Sequence, residues 1–228
     1  MKTFLTIALS TFLSLSSVTF AQTDLGEKYT SKTEKIPYLV ATPDNYQKEG
    51  TTVYPVLLFL HGGDRSNTKH HPRKYAKRAG IDFPFITIAP HCTAGCNWAN
   101  INFDKLLEEV ATNYKLDKDR IYVTGYSMGG YGTWSAITNF SKLFAAAAPI
   151  CGGGNEKSVC KAKGVAIKAF HGDKDRVIPH SASVKLVNAL KKCKANAELV
   201  TIEGGNHGIW PKLFQDPKFY DWFLKQKR

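Results

Sequence analysis

Short, almost wholly apolar runs recur along this chain at intervals that leave room for one helix between each pair. They are residues 53–60 (VYPVLLFL), 85–89 (FITIA), 121–124 (IYVT), 144–150 (FAAAAPI), 165–170 (VAIKAF) and 198–202 (ELVTI). A strand with one wet face alternates apolar and polar residues, whereas a continuous apolar run belongs to a parallel strand covered on both faces. The intervening segments carry helical spacing. Residues 104–114 place Leu106, Leu107, Val110 and Tyr114 on one face, and 181–192 do the same with Val184, Val187 and Leu190. The tail 217–227, with Phe219, Trp222, Phe223 and Leu224, reads as a closing helix. Such alternation predicts an α/β, doubly wound, mostly parallel sheet with helices on both faces and right-handed crossovers. Ligand sites in such sheets lie beyond the carboxyl ends of the strands.

At 228 residues the chain suits one sizeable domain. Its start reads as a leader. Lys2 precedes an apolar run from Phe4 to Leu15, and Thr19 and Ala21 are small residues at the positions cleavage requires. The run is shorter than the roughly 20 apolar residues of a membrane span. The expected organisation is a signal peptide over 1–21 and a catalytic domain over 22–228, secreted or periplasmic, with residues 22–35 polar and irregular. The formal charge of +12 makes the chain strongly basic. No basic tract interleaved with aromatics accompanies it, so nucleic acid is not the expected partner. An anionic polysaccharide or cell surface fits the charge better.

The chemistry centres on Gly125-Tyr126-Ser127-Met128-Gly129, which follows the run IYVT and precedes the helical stretch 131–139. In a strand–turn–helix context G-x-S-x-G is a nucleophile elbow: the turn lifts the serine Oγ above the sheet and points the next backbone N–H at the reacting carbonyl. Ser127 is the expected nucleophile and Met128 N–H one oxyanion donor. The second donor is expected from His61-Gly62-Gly63-Asp64, after VLLFL, with Gly63 N–H as the choice. His61 precedes the nucleophile, so its expected task is to hold that loop by hydrogen bonds. The acid and the base should follow the serine in that order. His207, in GGNHG after the run 198–202, fits the base; His180 lies too close to the acid, and His171 has a structural role. On the loop after 165–170, Asp173 and Asp175 both qualify as the acid.

HGGD, GYSMGGYGTW, HGDKDRVIP and GGNHGIW together resemble the α/β-hydrolase superfamily along nearly the whole mature chain. The resemblance is to its small lidless members: carboxylesterase/phospholipase and dienelactone-hydrolase-like esterases, and secreted peptidases of prolyl-oligopeptidase type. Feruloyl and acetylxylan esterases are similar too. It implies that Asp175, the fifth residue of H-G-x-x-D, is the acid. It also implies a Ser-His-Asp acyl-enzyme mechanism on carboxylic esters, small or attached to polysaccharide, without cofactor. A peptidase with the same triad and an inactive binding module are the alternatives.

Only residues 152–164 separate two runs where caps commonly enter, so an open site is expected. Trp98, Tyr126 and Trp210 are candidates for its rim, and Trp134 for the core. Neither His70-His71 nor His91-Cys92 comes with a second ligand pair at zinc spacing, so no metal site is expected. Among the five cysteines, Cys92–Cys96 is expected as a short bridge. Cys160 and Cys193 both fall at the edge of the sheet opposite the site and form the second expected bridge. Cys151, on the active-site side, is left free.

Overall fold

The run YPVLLFL forms strand β4 (Tyr54–Leu60), with every residue buried. Its odd and even side chains feed two separate cores. Val56, Leu58 and Leu60 face one, and Leu57 and Phe59 the other. A computed structural model describes residues 22–23 and 25–228, so the expected leader lies outside the described residues. The other strands are β1 (Gln22–Thr23), β2 (Gly26–Thr30), β3 (Pro37–Ala41), β5 (Ile86–Pro90), β6 (Leu116–Tyr126), β7 (Ala146–Ile150), β8 (Ala166–Gly172) and β9 (Ala197–Ile202). They form one sheet in the order β1-β2-β3-β5-β4-β6-β7-β8-β9. From β5 to β9 all neighbours run parallel, while β1, β2 and β3 attach as an antiparallel flank.

Helices α2 (Phe103–Ala111), α3 (Met128–Asn139) and α4 (Ser181–Lys192) cover one face through Leu106, Ile137 and Leu186. Helices α1 (Pro72–Arg78), α5 (Trp210–Leu213) and α6 (Pro217–Leu224) lie on the other, led by Ala76, Phe219, Tyr220 and Phe223. Among the described residues no helix is long and apolar enough to cross a membrane.

The segment expected to be irregular holds β1 and β2. Polar β2 is a strand because its partner supplies what its own sequence lacks. Tyr29 pairs across to Tyr38 with rings stacked at 5.3 Å, and Tyr114 meets Tyr29 edge-on. β6 also extends well beyond 121–124. Its first half, Asp117 to Arg120, bulges past β4, where the register jumps between Tyr54 and Val56.

The disulfides are Cys92–Cys96, on the loop after β5, and Cys160–Cys193, which ties the β7–β8 connection to the end of α4. Cys151 is free and buried.

Candidate active site

Ser127 lies between β6 and α3 with φ 55° and ψ −117°, a conformation costing a non-glycine residue about 1–3 kcal/mol. The surroundings enforce it. A Cβ on Gly125 would lie 2.5 Å from the carbonyl oxygens of both Gly129 and Leu60, and one on Gly129 would lie 1.9 Å from Leu60 O. Helix α3 therefore starts against the backbone of β4, a closeness only glycine permits. Ser127 N–H donates to Ile150 O at 2.9 Å, which anchors the turn to β7.

Two loops at the carboxyl ends of β8 and β9 meet this serine. Lys174 N–H donates to Gly205 O at 2.9 Å, and a Cβ on Gly172 would lie 2.2 Å from the same oxygen. The pinned loops bring His207 Nε2 to 2.9 Å from Ser127 Oγ and His207 Nδ1 to 2.7 Å from Asp175 Oδ2. Nδ1 faces a carboxylate and so carries the proton, which leaves Nε2 to accept from the serine hydroxyl. Of the two candidate acids, Asp175 meets the imidazole; Asp173 is exposed on the same loop. The Asp175 side chain is fully buried, and its Oδ1 accepts from the N–H groups of Val177 and Ile178 at 2.8 and 3.0 Å. Burial alone would raise its pKa, but the His207 hydrogen bond and those two N–H groups outweigh it and hold the carboxyl below its ordinary range.

The expected oxyanion donors flank this serine in the chain and across the sheet. Met128 is the first residue of α3, so its N–H has no acceptor within the helix. Gly63 is exposed, with no atom of the fold within 4 Å of where a Cβ would stand. Its loop is held from two sides. Buried His61 lies with Nδ1 2.8 Å from Gly62 O and accepts at Nε2 from Cys92 N–H at 2.9 Å, so the disulfide loop braces it. Burial lowers the His61 pKa and keeps the ring neutral. Tyr126 packs beneath Gly62 and its hydroxyl donates to Asp64 Oδ1 at 2.8 Å.

The three rim aromatics occupy different places. Trp210 stacks on Tyr126 with centroids 4.2 Å apart and sets its edge against His207 at 5.8 Å, a buttress for the imidazole. Trp98 is buried against Gly132 and lines a groove of about 700 Å³ along α3. The groove reaches the elbow at Met128 and does not include the Ser127 side chain. Its walls include Tyr131, 45% exposed, with Thr138, Asn139 and Asn155 further along. Trp134 is core. Residue patterns assigned no role beside the acid to Cys151, whose thiol lies next to Asp175 and is pushed up to about 12 by burial. Among the described residues Cys151, His171 and Asp175 form a group of closely spaced potential ligand atoms, all within the neighbourhood of the acid.

A parallel sheet with a strained serine at a strand–helix turn, and an acid and a histidine at later strand ends, defines an α/β-hydrolase. The chain belongs to the dienelactone hydrolase family, whose pattern matches residues 27–215. It is 25% identical over 199 residues to a probable feruloyl esterase C of Aspergillus niger, covering 79% of this chain and 65% of that protein. It is 29% identical over 132 residues to a bifunctional acetylxylan esterase/xylanase of Neocallimastix patriciarum, covering 54% of this chain and 20% of that protein. The chain thus spans between a fifth and about two thirds of the length of these curated relatives. Among solved structures, a thermostable esterase superposes with a TM-score of 0.74 at 28% identity, covering 92% of this chain and 63% of the other. A feruloyl esterase module from Clostridium thermocellum, solved with sinapinate, shares the fold with a TM-score of 0.68 at 18% identity, covering 86% of each chain.

Proposed function

We propose that this protein is a secreted serine esterase that cleaves carboxylic esters through an acyl-enzyme, and that its substrates are acyl groups, feruloyl or acetyl, carried on polysaccharide. The observation that carries the reading is His207, bridging Ser127 Oγ and Asp175 within 2.9 and 2.7 Å. The serine proton passes to His207 Nε2 as Oγ attacks the acyl carbon, while Asp175 fixes the tautomer and balances the imidazolium. The N–H groups of Met128 and Gly63 hold the oxyanion. His207 then protonates the departing alcohol, and water releases the acyl group by the same base.

Polymer-borne esters are supported by the names of the relatives and by the groove. From Met128 to Asn139 it follows about 16 Å of helix, longer than a single acyl group needs, and it opens to solvent beside an exposed tyrosine. Secretion is supported by the leader pattern and by two disulfides, which persist in oxidising compartments. The test is a panel of p-nitrophenyl esters of increasing length, methyl ferulate, acetylated xylan and a peptide p-nitroanilide. Turnover of methyl ferulate or acetylated xylan, lost in Ser127→Ala, is the expected result. Turnover of the anilide alone would move the assignment to a peptidase.

A further inference from the structure

Asp175 is surrounded by more donors than the acid of a triad requires. Its Oδ1 is taken by two backbone N–H groups, and His207 approaches Oδ2. From another side, His171 Nε2 stands 3.2 Å from the same Oδ2. His171 is fully buried at the end of β8, with Nε2 also 3.0 Å from Ile178 O and Nδ1 2.7 Å from Ser183 Oγ on α4. Ser183 Oγ in turn lies 3.1 Å from Gly152 O.

The acceptors around the ring fix where its Nε2 proton sits. Nε2 is flanked by a carbonyl and a carboxylate, both of which only accept, so a bare Nε2 would set its lone pair against two others. Nε2 therefore carries a proton. Burial lowers the His171 pKa, against the pull of Asp175 and Ile178 O. The Ser183 hydroxyl donates to Gly152 O and holds the ring at its Nδ1 edge.

We infer that His171, seated by Ser183 at Nδ1, is a positioning residue that donates from Nε2 to Asp175 Oδ2 as a second imidazole, aims that oxygen at His207 and shares its charge. The inference rests on the triad reading of Ser127, Asp175 and His207. Asp175 is faced by His207 from the loop after β9, by His171 from β8 and by the protonated Cys151 thiol just beyond β7. His171 is faced edge-on by His180 at the start of α4, with centroids 5.6 Å apart, and His207 by the Trp210 ring.

The test compares His171→Leu, His171→Gln and Ser183→Ala by pH profiles of kcat/KM on p-nitrophenyl acetate. Without the His171 donor, charge on Asp175 is less dispersed and stabilises the His207 imidazolium. The acid limb then moves up, by about half a pH unit, and kcat falls roughly tenfold. His171→Gln, whose amide N–H reaches toward the same oxygen, recovers most of both changes; Ser183→Ala, which unseats the ring at Nδ1, shifts the limb in the direction of His171→Leu. Equal losses in the Leu and Gln variants with an unmoved limb would mean a merely structural histidine and overturn the inference. Long-range 1H–15N spectra of the wild-type protein with 15N-labelled histidine test it even where a variant does not fold. A proton on His171 Nε2 is expected, and a bare Nε2 overturns it. Activity retained in Ser127→Ala would instead remove the triad reading, a failure distinguishable from either result.

Discussion

Asp175→Asn is the substitution whose outcome the geometry fixes most tightly. Asparagine is nearly isosteric, so the side chain stays buried, and its carbonyl oxygen has a natural place at Oδ1, accepting from Val177 and Ile178 N–H. The amide NH2 then stands where Oδ2 was, facing His207 Nδ1 at 2.7 Å and His171 Nε2 at 3.2 Å. Donors cannot face each other, so both imidazoles must turn an acceptor nitrogen to the amide, and His207 shifts its proton to Nε2 and accepts at Nδ1. Nε2–H now points at Ser127 Oγ and cannot take the serine proton. A wrong tautomer of this kind lowers kcat by ~10⁴, about 5 kcal/mol of transition-state stabilisation. Asp173→Asn, on an exposed side chain of the same loop, is expected to stay within about twofold. Initial rates on p-nitrophenyl acetate, with circular dichroism to confirm the fold, make the comparison. An Asp175→Asn enzyme keeping more than a tenth of its activity, or an Asp173→Asn enzyme losing as much as its neighbour, would refute the reasoning.

Further outcomes follow from the packing and the buried titratable groups. Gly129→Ala places a methyl 1.9 Å from Leu60 O and is expected to cost about 2 kcal/mol or more of stability. Gly63→Ala meets no atom of the fold and should leave the melting temperature unchanged, which thermal denaturation of the pair checks. Replacing Cys160 and Cys193 by serine opens a loop with sequence separation 33 and is expected to cost about 4 kcal/mol in urea titrations; an unchanged midpoint would show that the bridge constrains nothing. Buried His71 caps α1 through its Nδ1 and has its pKa lowered to about 3 by burial and by Arg73 and Lys74. Its neutral form therefore stabilises the fold fully above the unfolded value of 6.5, and that contribution is lost as pH falls from there toward 3. Asp175, Glu109 and Asp117, with lowered values, lose theirs in the acid range as well. Melting temperatures between pH 7.5 and 4 should fall throughout, and His71→Gln should flatten the upper part of that fall.

The parallel core was legible because strands covered on both faces must be apolar along their whole length, and β4 is buried at every residue. The order of Ser127, Asp175 and His207 was legible because each stands at the end of such a run. β2 escaped notice since its stability comes from Tyr38 and Tyr114, distant in sequence. Helix α1 escaped for a related reason: in seven mostly basic residues only Pro72 and Ala76 are buried. Choosing Asp175 over Asp173 needed a resemblance, because residue spacing alone does not say which carboxylate turns inward. The contact between His171 and Asp175 depends on the loop folding back through Ile178 O and Ser183, and no pattern of residue types records that.

The most direct test of the account is covalent. A fluorophosphonate probe phosphonylates a serine only where a neighbouring base activates it and N–H donors hold the developing oxyanion. Digestion and mass mapping of the labelled protein should place one adduct on Ser127, and His207→Ala should abolish it while the protein stays folded. Absence of labelling on folded wild-type protein, or an adduct on another residue, would contradict the claim that Ser127 is the nucleophile.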